Sequence, residues 1–238
     1  MKLRMSLIGS LFLLQGYVGW WMIKSGLYPE ESTKKHFIGM SQYRIFTHLT
    51  LSSLIFSITL WTGLGQLIKP ENHNNVAKIC TFRSLALASF ISIFITTCYG
   101  AFVSGTHSGD IYQNWPKFGD YWLPEHAFDQ KPWWRNFFEN QANIQSTHRH
   151  LAYLTIILTT TTWFIGHGRV MNKRASIALT GLAVMGLAQV FVGVLTLWTG
   201  VPLPLASLHE FGSMPLMGFA IWLLREIKKL PNIRMKTM

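Results

Sequence analysis

Three histidines of this 238-residue chain stand inside or at the edge of apolar stretches: His48, His148 and His209. An ionisable ring in a hydrocarbon environment is costly and marks a functional site by default. The remaining histidines divide in two. His36, His73, His107, His126 and His167 fall in loops or at segment ends and read as solvated. His150 competes with His148, but positions two apart face nearly opposite sides of a helix, so only one can point at a given site. Four residues after each of the three comes a small side chain (Ser52, Ala152, Ser213), and Gly212 adds room beside His209. A flat macrocycle bound through an imidazole needs such a shallow helix surface next to it. Paired imidazoles turned into a helical bundle are a standard way to hold haem iron. Zinc is the weaker alternative, because none of the three has a cysteine or carboxylate at ligand spacing. Arg44 precedes His48 by one helical turn and Arg149 adjoins His148. Their guanidinium groups suit either the carboxylates of a macrocycle or the headgroups at a membrane edge.

The elements that must carry these residues are membrane helices. Hydrophobic residues make up 49% of the chain and charged ones only 13%, with 10 Trp and 16 Phe, which argues against a soluble domain. Six segments approach the roughly 20 apolar residues that cross a bilayer: about 5–23, 43–68, 84–104, 148–166, 175–199 and 202–225. The first is a span and not a cleaved signal, since Trp20-Trp21-Met22-Ile23-Lys24 lacks small cleavage-site residues. The N-terminus, the 69–83 and 167–174 loops and the C-terminal tail carry 13 Lys+Arg and 2 acids; the rest carries 8 and 8. The whole net charge of +11 therefore lies on one side, which puts both termini inside and needs no nucleic-acid partner. The three histidines then share a similar depth in the outer leaflet. The 105–147 loop, with Trp115, Trp122, Trp133 and Trp134, reads either as an interfacial aromatic belt or as a lid.

An internal repeat organises the chain. Gln15-Gly16-Tyr17-Val18-Gly19 recurs as Gln189-Val190-Phe191-Val192-Gly193, each followed by a glycine (Gly26, Gly200) eleven residues after its Gln. Each is followed by a helix with one histidine, His48 or His209. Spans one and two thus copy spans five and six. With spans three and four as the opening hairpin of the second copy, residues 84–226 make one complete four-helix unit, and residues 1–69 the latter half of another. The expected fold is an all-α integral membrane protein of six transmembrane helices, one complete haem-binding four-helix bundle plus two helices of a related one. The repeat also predicts an opening hairpin ahead of Met1.

Several stretches resemble the haem A synthase family of mitochondria and alphaproteobacteria. They are Gly19-Trp20-Trp21-Met22-Ile23-Lys24-Ser25-Gly26-Leu27, Ser41-Gln42-Tyr43-Arg44 with His48, and Leu60-Trp61-Thr62. Further along come Gly100 to Gly105, Asn114 to Gly119, Phe138-Glu139-Asn140, His148-Arg149 and Pro204-Leu205-Ala206 with His209. The resemblance implies eight helices in two four-helix halves and oxidation of a methyl group of haem O to the formyl group of haem A. It implies haem b on His148 and His209, His48 as one of two histidines at the catalytic haem, and no role for His150. It also implies an inner-membrane location, a ferredoxin-like electron donor, and contact with the farnesyltransferase that makes haem O. Three departures stand out: no counterpart of the family's first two helices, no external cysteine pair (Cys80 lies inside, Cys98 in a span), and Glu210 where an amide commonly follows the histidine. A split protein with a complementary N-terminal fragment, a homo-oligomer, a shortened gene model and a degenerate remnant all accommodate the first. Two other functions compete: a non-catalytic b-type electron-transfer or assembly subunit, and a transporter. The weak broken-helix signals disfavour the transporter.

Overall fold

The computed structural model describes residues 2–27, 40–69, 71–73, 76–169 and 171–229. His36 lies outside them. Helices account for nearly all regular structure: α1 (Lys2–Leu27), α2 (Gln42–Leu67), α3 (Ile79–Gly105), the one-turn α4 (Asn136–Glu139), α5 (Gln141–Gly166), α6 (Lys173–Trp198) and α7 (Leu203–Glu226). No β-strand forms among the described residues. Four helices, α1, α2, α3 and α6, are long and apolar enough to cross a membrane. Helices α5 and α7 match them in length (26 and 24 residues) but are more polar. The opening of α5 carries Gln141, Asn143 and Gln145, and α7 contains the His209-Glu210 pair.

The helices α3, α5, α6 and α7 close a ring: α3 packs on α5, α5 on α6, α6 on α7, and α7 on α3. Helix α2 lies against α3 and α7, and α1 against α2. The ring is filled by Phe82, Ile93, Leu182, Met217 and Leu223, all nearly or fully buried. Close approach comes from small residues: a methyl group at Gly166 would lie 2.5 Å from the ring of Phe82. The α3–α5 seam is a hydroxyl ladder, Ser89 to Thr162 at 2.9 Å, Ser92 to Thr155 at 2.7 Å and Thr96 to Thr155 at 2.9 Å. In an apolar solvent such hydrogen bonds and close packing replace the hydrophobic effect between helices. By contrast, α1 buries only Ile8, Val18 and Ser25, so most of its apolar surface is open to lipid.

Two expectations change. His148 does not open its helix: α5 begins seven residues earlier, capped by the Asn140 side chain, which accepts from the backbone N–H of Ala142 and Asn143. His73 is not solvated. It is 4% exposed, with Nδ1 3.1 Å from the Glu71 carbonyl and Nε2 accepting from Asn172 N–H at 3.4 Å. It belongs to a polar knot around the fully buried Glu226, which takes hydrogen bonds from Arg174 (2.9 Å), Trp222 (3.1 Å) and Asn172 (3.2 Å). The long loop is folded too. Trp115 packs edge-on against Trp198 at 6.3 Å, Phe118 and Tyr121 form a β-bridge, and Trp122, Trp133 and Trp134 stay exposed.

Candidate histidine site

His148 of α5 and His209 of α7 face one another inside the ring of four helices, with ring centroids 6.5 Å apart and planes at 85°. Each Nδ1 is buried with no hydrogen-bond partner among the described residues. Each ring also leans on a glycine of a neighbouring helix. A methyl group at Gly193 of α6 would lie 2.8 Å from Cε1 of His209, and one at Gly100 of α3 would lie 3.5 Å from Cε1 of His148. The helices thus present bare backbone beside both imidazoles. His150 turns away and is exposed, its Nδ1 2.7 Å from the Ser146 carbonyl of its own helix. The two-residue spacing separates the pair as helical geometry requires.

His48 is not part of this pair. It meets α1 instead, where Gly19 plays the part that Gly193 plays for His209: a methyl group at Gly19 would lie 3.0 Å from Cε1 of His48. Gln15, the first residue of the same motif, places its amide nitrogen 3.0 Å from Nδ1 and 3.2 Å from Nε2 of His48. That nitrogen also donates to the His48 carbonyl (3.2 Å) and to Ser52 Oγ. In the second copy, Gln189 fills the notch at Gly212, three residues after His209. The five-residue repeat is therefore a structural repeat. Its Gln reaches the histidine helix within one turn of the histidine, and its last Gly seats the ring.

The arginines serve other groups. Arg149 is 6% exposed; its guanidinium donates to the carbonyls of Tyr112 (2.9 Å) and Lys117 (3.1 Å) and sits 4.1 Å from the centre of the Phe118 ring. It ties the 112–118 stretch of the loop between α3 and α5 to the helical turn that bears His148. Gln145 donates to the Tyr112 carbonyl as well, at 2.8 Å. Arg44 donates to the Trp21 carbonyl at 2.9 Å and lies 4.7 Å from that ring's centre, holding α2 to α1. Tyr43 beside it donates to Glu139 at 3.1 Å. Glu210 is exposed, and its backbone carbonyl accepts from Ser213 at 2.7 Å.

Residues 1–221 match the family model COX15-CtaA, described as cytochrome oxidase assembly protein. The chain belongs to that family. Among curated relatives of this COX15-CtaA member, the heme A synthase COX15 of Bos taurus is 35% identical over 98% of this chain and 56% of its own length. The heme A synthase of Parvibaculum lavamentivorans is 35% identical over 91% of the chain and 58% of its own length. The heme A synthase COX15 of Saccharomyces cerevisiae is 34% identical over 93% and 51%. The chain thus spans about half the length of the curated relatives it matches. No solved structure matches it.

Four positions of this COX15-CtaA chain escaped sequence reasoning as parts of a site: Gln15, Gly19, Gly100 and Gly193. Three of them stand in the repeated motif, which signalled that a pair of helices recurs but not which atoms meet. Gly100 stands in an apolar run and opens one of the stretches that carry the resemblance, but nothing there pointed to a contact with His148.

Proposed function

We propose that this chain is a haem A synthase polypeptide, oxidising the methyl group of haem O to the formyl group of haem A. In this reading α3, α5, α6 and α7 form a complete unit, residues 84–226, that holds haem b through His148 and His209. Residues 1–69 carry His48 to the haem O site, whose other wall and second histidine come from outside these 238 residues. All six long helices cross the inner membrane of a bacterium or mitochondrion with termini inside. A ferredoxin-like protein supplies electrons, and the farnesyltransferase that makes haem O supplies substrate.

The observation that carries the reading is the His148–His209 pair inside the ring of helices. Two imidazoles that held one metal ion, each through a bond of about 2 Å extended by a ring radius of roughly 1 Å, would stand with centroids about 6 Å apart. The 6.5 Å separation of His148 and His209 fits that requirement. Their Nδ1 atoms are buried with no hydrogen-bond partner among the described residues. The bare backbone at Gly100 and Gly193 gives a planar ligand room to approach.

Bound haem supplies one-electron and oxygen chemistry, while the protein contributes ligands, orientation and a dry site. This chain's own part is positional. Gly193 seats the ring of His209, and Gly100 leaves open backbone beside that of His148. Arg149 holds the Tyr112–Phe118 stretch of the loop over the outer end of α5, which excludes water from that end. Gln15 and Gly19 hold the ring of His48 between them. Arg44 fixes α1 to α2, so the walls of the His48 site move as one.

A reduced-minus-oxidised spectrum of the purified chain tests the reading. A b-type signal is expected, lost in His148→Ala and in His209→Ala and kept in His150→Ala. Absence of the signal from the native chain, or its survival in both of the first two variants, overturns it.

A further inference from the structure

A groove of about 380 Å³ runs between α1 and α2, inside the range of about 300–1,000 Å³ for small-molecule sites. Its lining includes Gln15, Ser52, Phe12, Ile55, Phe56 and Leu60. Its polar end coincides with the His48 site, because Gln15 and Ser52 both bond to the backbone carbonyl of His48. From Ser52 to Leu60 the apolar wall follows α2 for two turns, about 12 Å at the helical rise. At the polar end one atom is left over. The amide nitrogen of Gln15 is taken by His48 and Ser52, while Oε1 is buried with no hydrogen-bond partner among the described residues. A buried acceptor at the head of an apolar groove calls for a ligand with one hydroxyl followed by a hydrocarbon chain.

We infer that this groove is the subsite for the hydroxylated isoprenoid side chain of haem O, and that Gln15 is the residue that selects haem O over protohaem. The inference rests on the reading of His48 as a residue of the haem O site. The two haems differ at one pyrrole, where protohaem has a vinyl group and haem O has a carbon bearing a hydroxyl and a farnesyl chain. Placed at His48, only haem O offers a hydroxyl to Oε1 and an apolar chain to Phe12, Ile55, Phe56 and Leu60. A site that hydrogen-bonds a ligand hydroxyl rejects the analogue lacking it, because its own polar atom is then left unpaired. A membrane lipid chain or a further helix could cover the same apolar wall, but neither needs an acceptor at its head.

Competition binding separates these occupants without any turnover. The full chain in nanodiscs is offered equal haem O and protohaem, and the haems retained are extracted and counted. Subtraction of the His48→Ala result gives the fraction held at His48. That fraction should favour haem O. Gln15→Leu should cut the haem O to protohaem ratio of that fraction about five-fold, the equivalent of one neutral hydrogen bond. Thr59→Trp, which fills the groove about three turns from His48, should remove haem O from that fraction and spare protohaem. An unchanged haem O to protohaem ratio in both variants overturns the inference and leaves His48 as a haem residue. Identical retention in the native chain and in His48→Ala overturns the reading of His48, and the inference with it.

Discussion

Replacing Gly193 with alanine adds one methyl group where α6 meets the ring of His209. That carbon would lie 2.8 Å from Cε1, 3.3 Å from Nδ1 and 3.4 Å from Nε2, whereas carbon atoms rest about 3.5–4.0 Å apart. The ring must retreat by roughly 0.7 Å or α6 and α7 must separate, and overpacking of this kind costs about 1–3 kcal/mol. Alanine returns about 0.8–1.0 kcal/mol as a better helix former than glycine, so overall stability should change little or fall slightly. The displacement acts directly on the ring, with His148 on its other side at 6.5 Å. If the overpacking falls mainly on the haem-bound form, affinity drops about 5- to 100-fold. The same change at Gly100 is the control. There the methyl would sit 3.5 Å from Cε1 of His148, an ordinary contact, so Gly100→Ala keeps the haem and gains up to about 1 kcal/mol from helix propensity. The assay is haem retained per chain, read from the reduced b-type band, together with the thermal midpoint of each variant. Native haem retention in Gly193→Ala, or equal losses in the two variants, would refute the seating of the ring by Gly193.

Other expectations follow from single contacts. Arg149→Ala should free the 112–118 segment and make it cleavable by a protease added from the outer side. Arg149→Lys should not restore protection, because one ammonium group cannot reproduce a two-carbonyl fork stacked on Phe118. Glu226→Ala strands Arg174, Asn172 and Trp222 and should cost about 1–3 kcal/mol, visible as a lower thermal midpoint of the purified chain. Thr155→Val removes the hydroxyl shared by Ser92 and Thr96 at nearly constant shape. It should cost roughly 0.6 kcal/mol, the average for an interhelical hydrogen bond in a membrane protein, measured by denaturation in mixed micelles.

Helical periodicity showed that His148 and His150 cannot both face one site, and the cost of a polar ring in an apolar segment singled out His48, His148 and His209 together. The choice of His148 and its pairing with His209 came from the family resemblance. The ring of four helices follows from the same hydrophobic runs. Other features were hidden for identifiable reasons. The start of α5 lies in Gln141–Ser146, a stretch too polar to read as a membrane helix until Asn140 is seen capping it. The direction of Arg149 depends on loop carbonyls more than thirty residues away, and no local pattern encodes that. His73 is buried by Asn172 and Glu71, partners that come together only when the segment after α2 meets the start of α6. The roles of Gly19 and Gly193 were half visible, since repetition marks a position as constrained without naming the constraint.

The tie between Arg149 and the outer loop bears on the order in which the protein matures. The anchor and His148 are consecutive residues of one helix, so the turn that carries the imidazole is finished by carbonyls of Tyr112 and Lys117 in the loop between α3 and α5. Those carbonyls reach it only after the loop has folded back on α5. Loading of the histidine pair should then trail loop folding during biogenesis, and an insertion defect would surface as a pigment defect. Substitutions around Asn114–Gly119 would mimic loss of a ligand from a distance, colourless protein being the common outcome of damage to either.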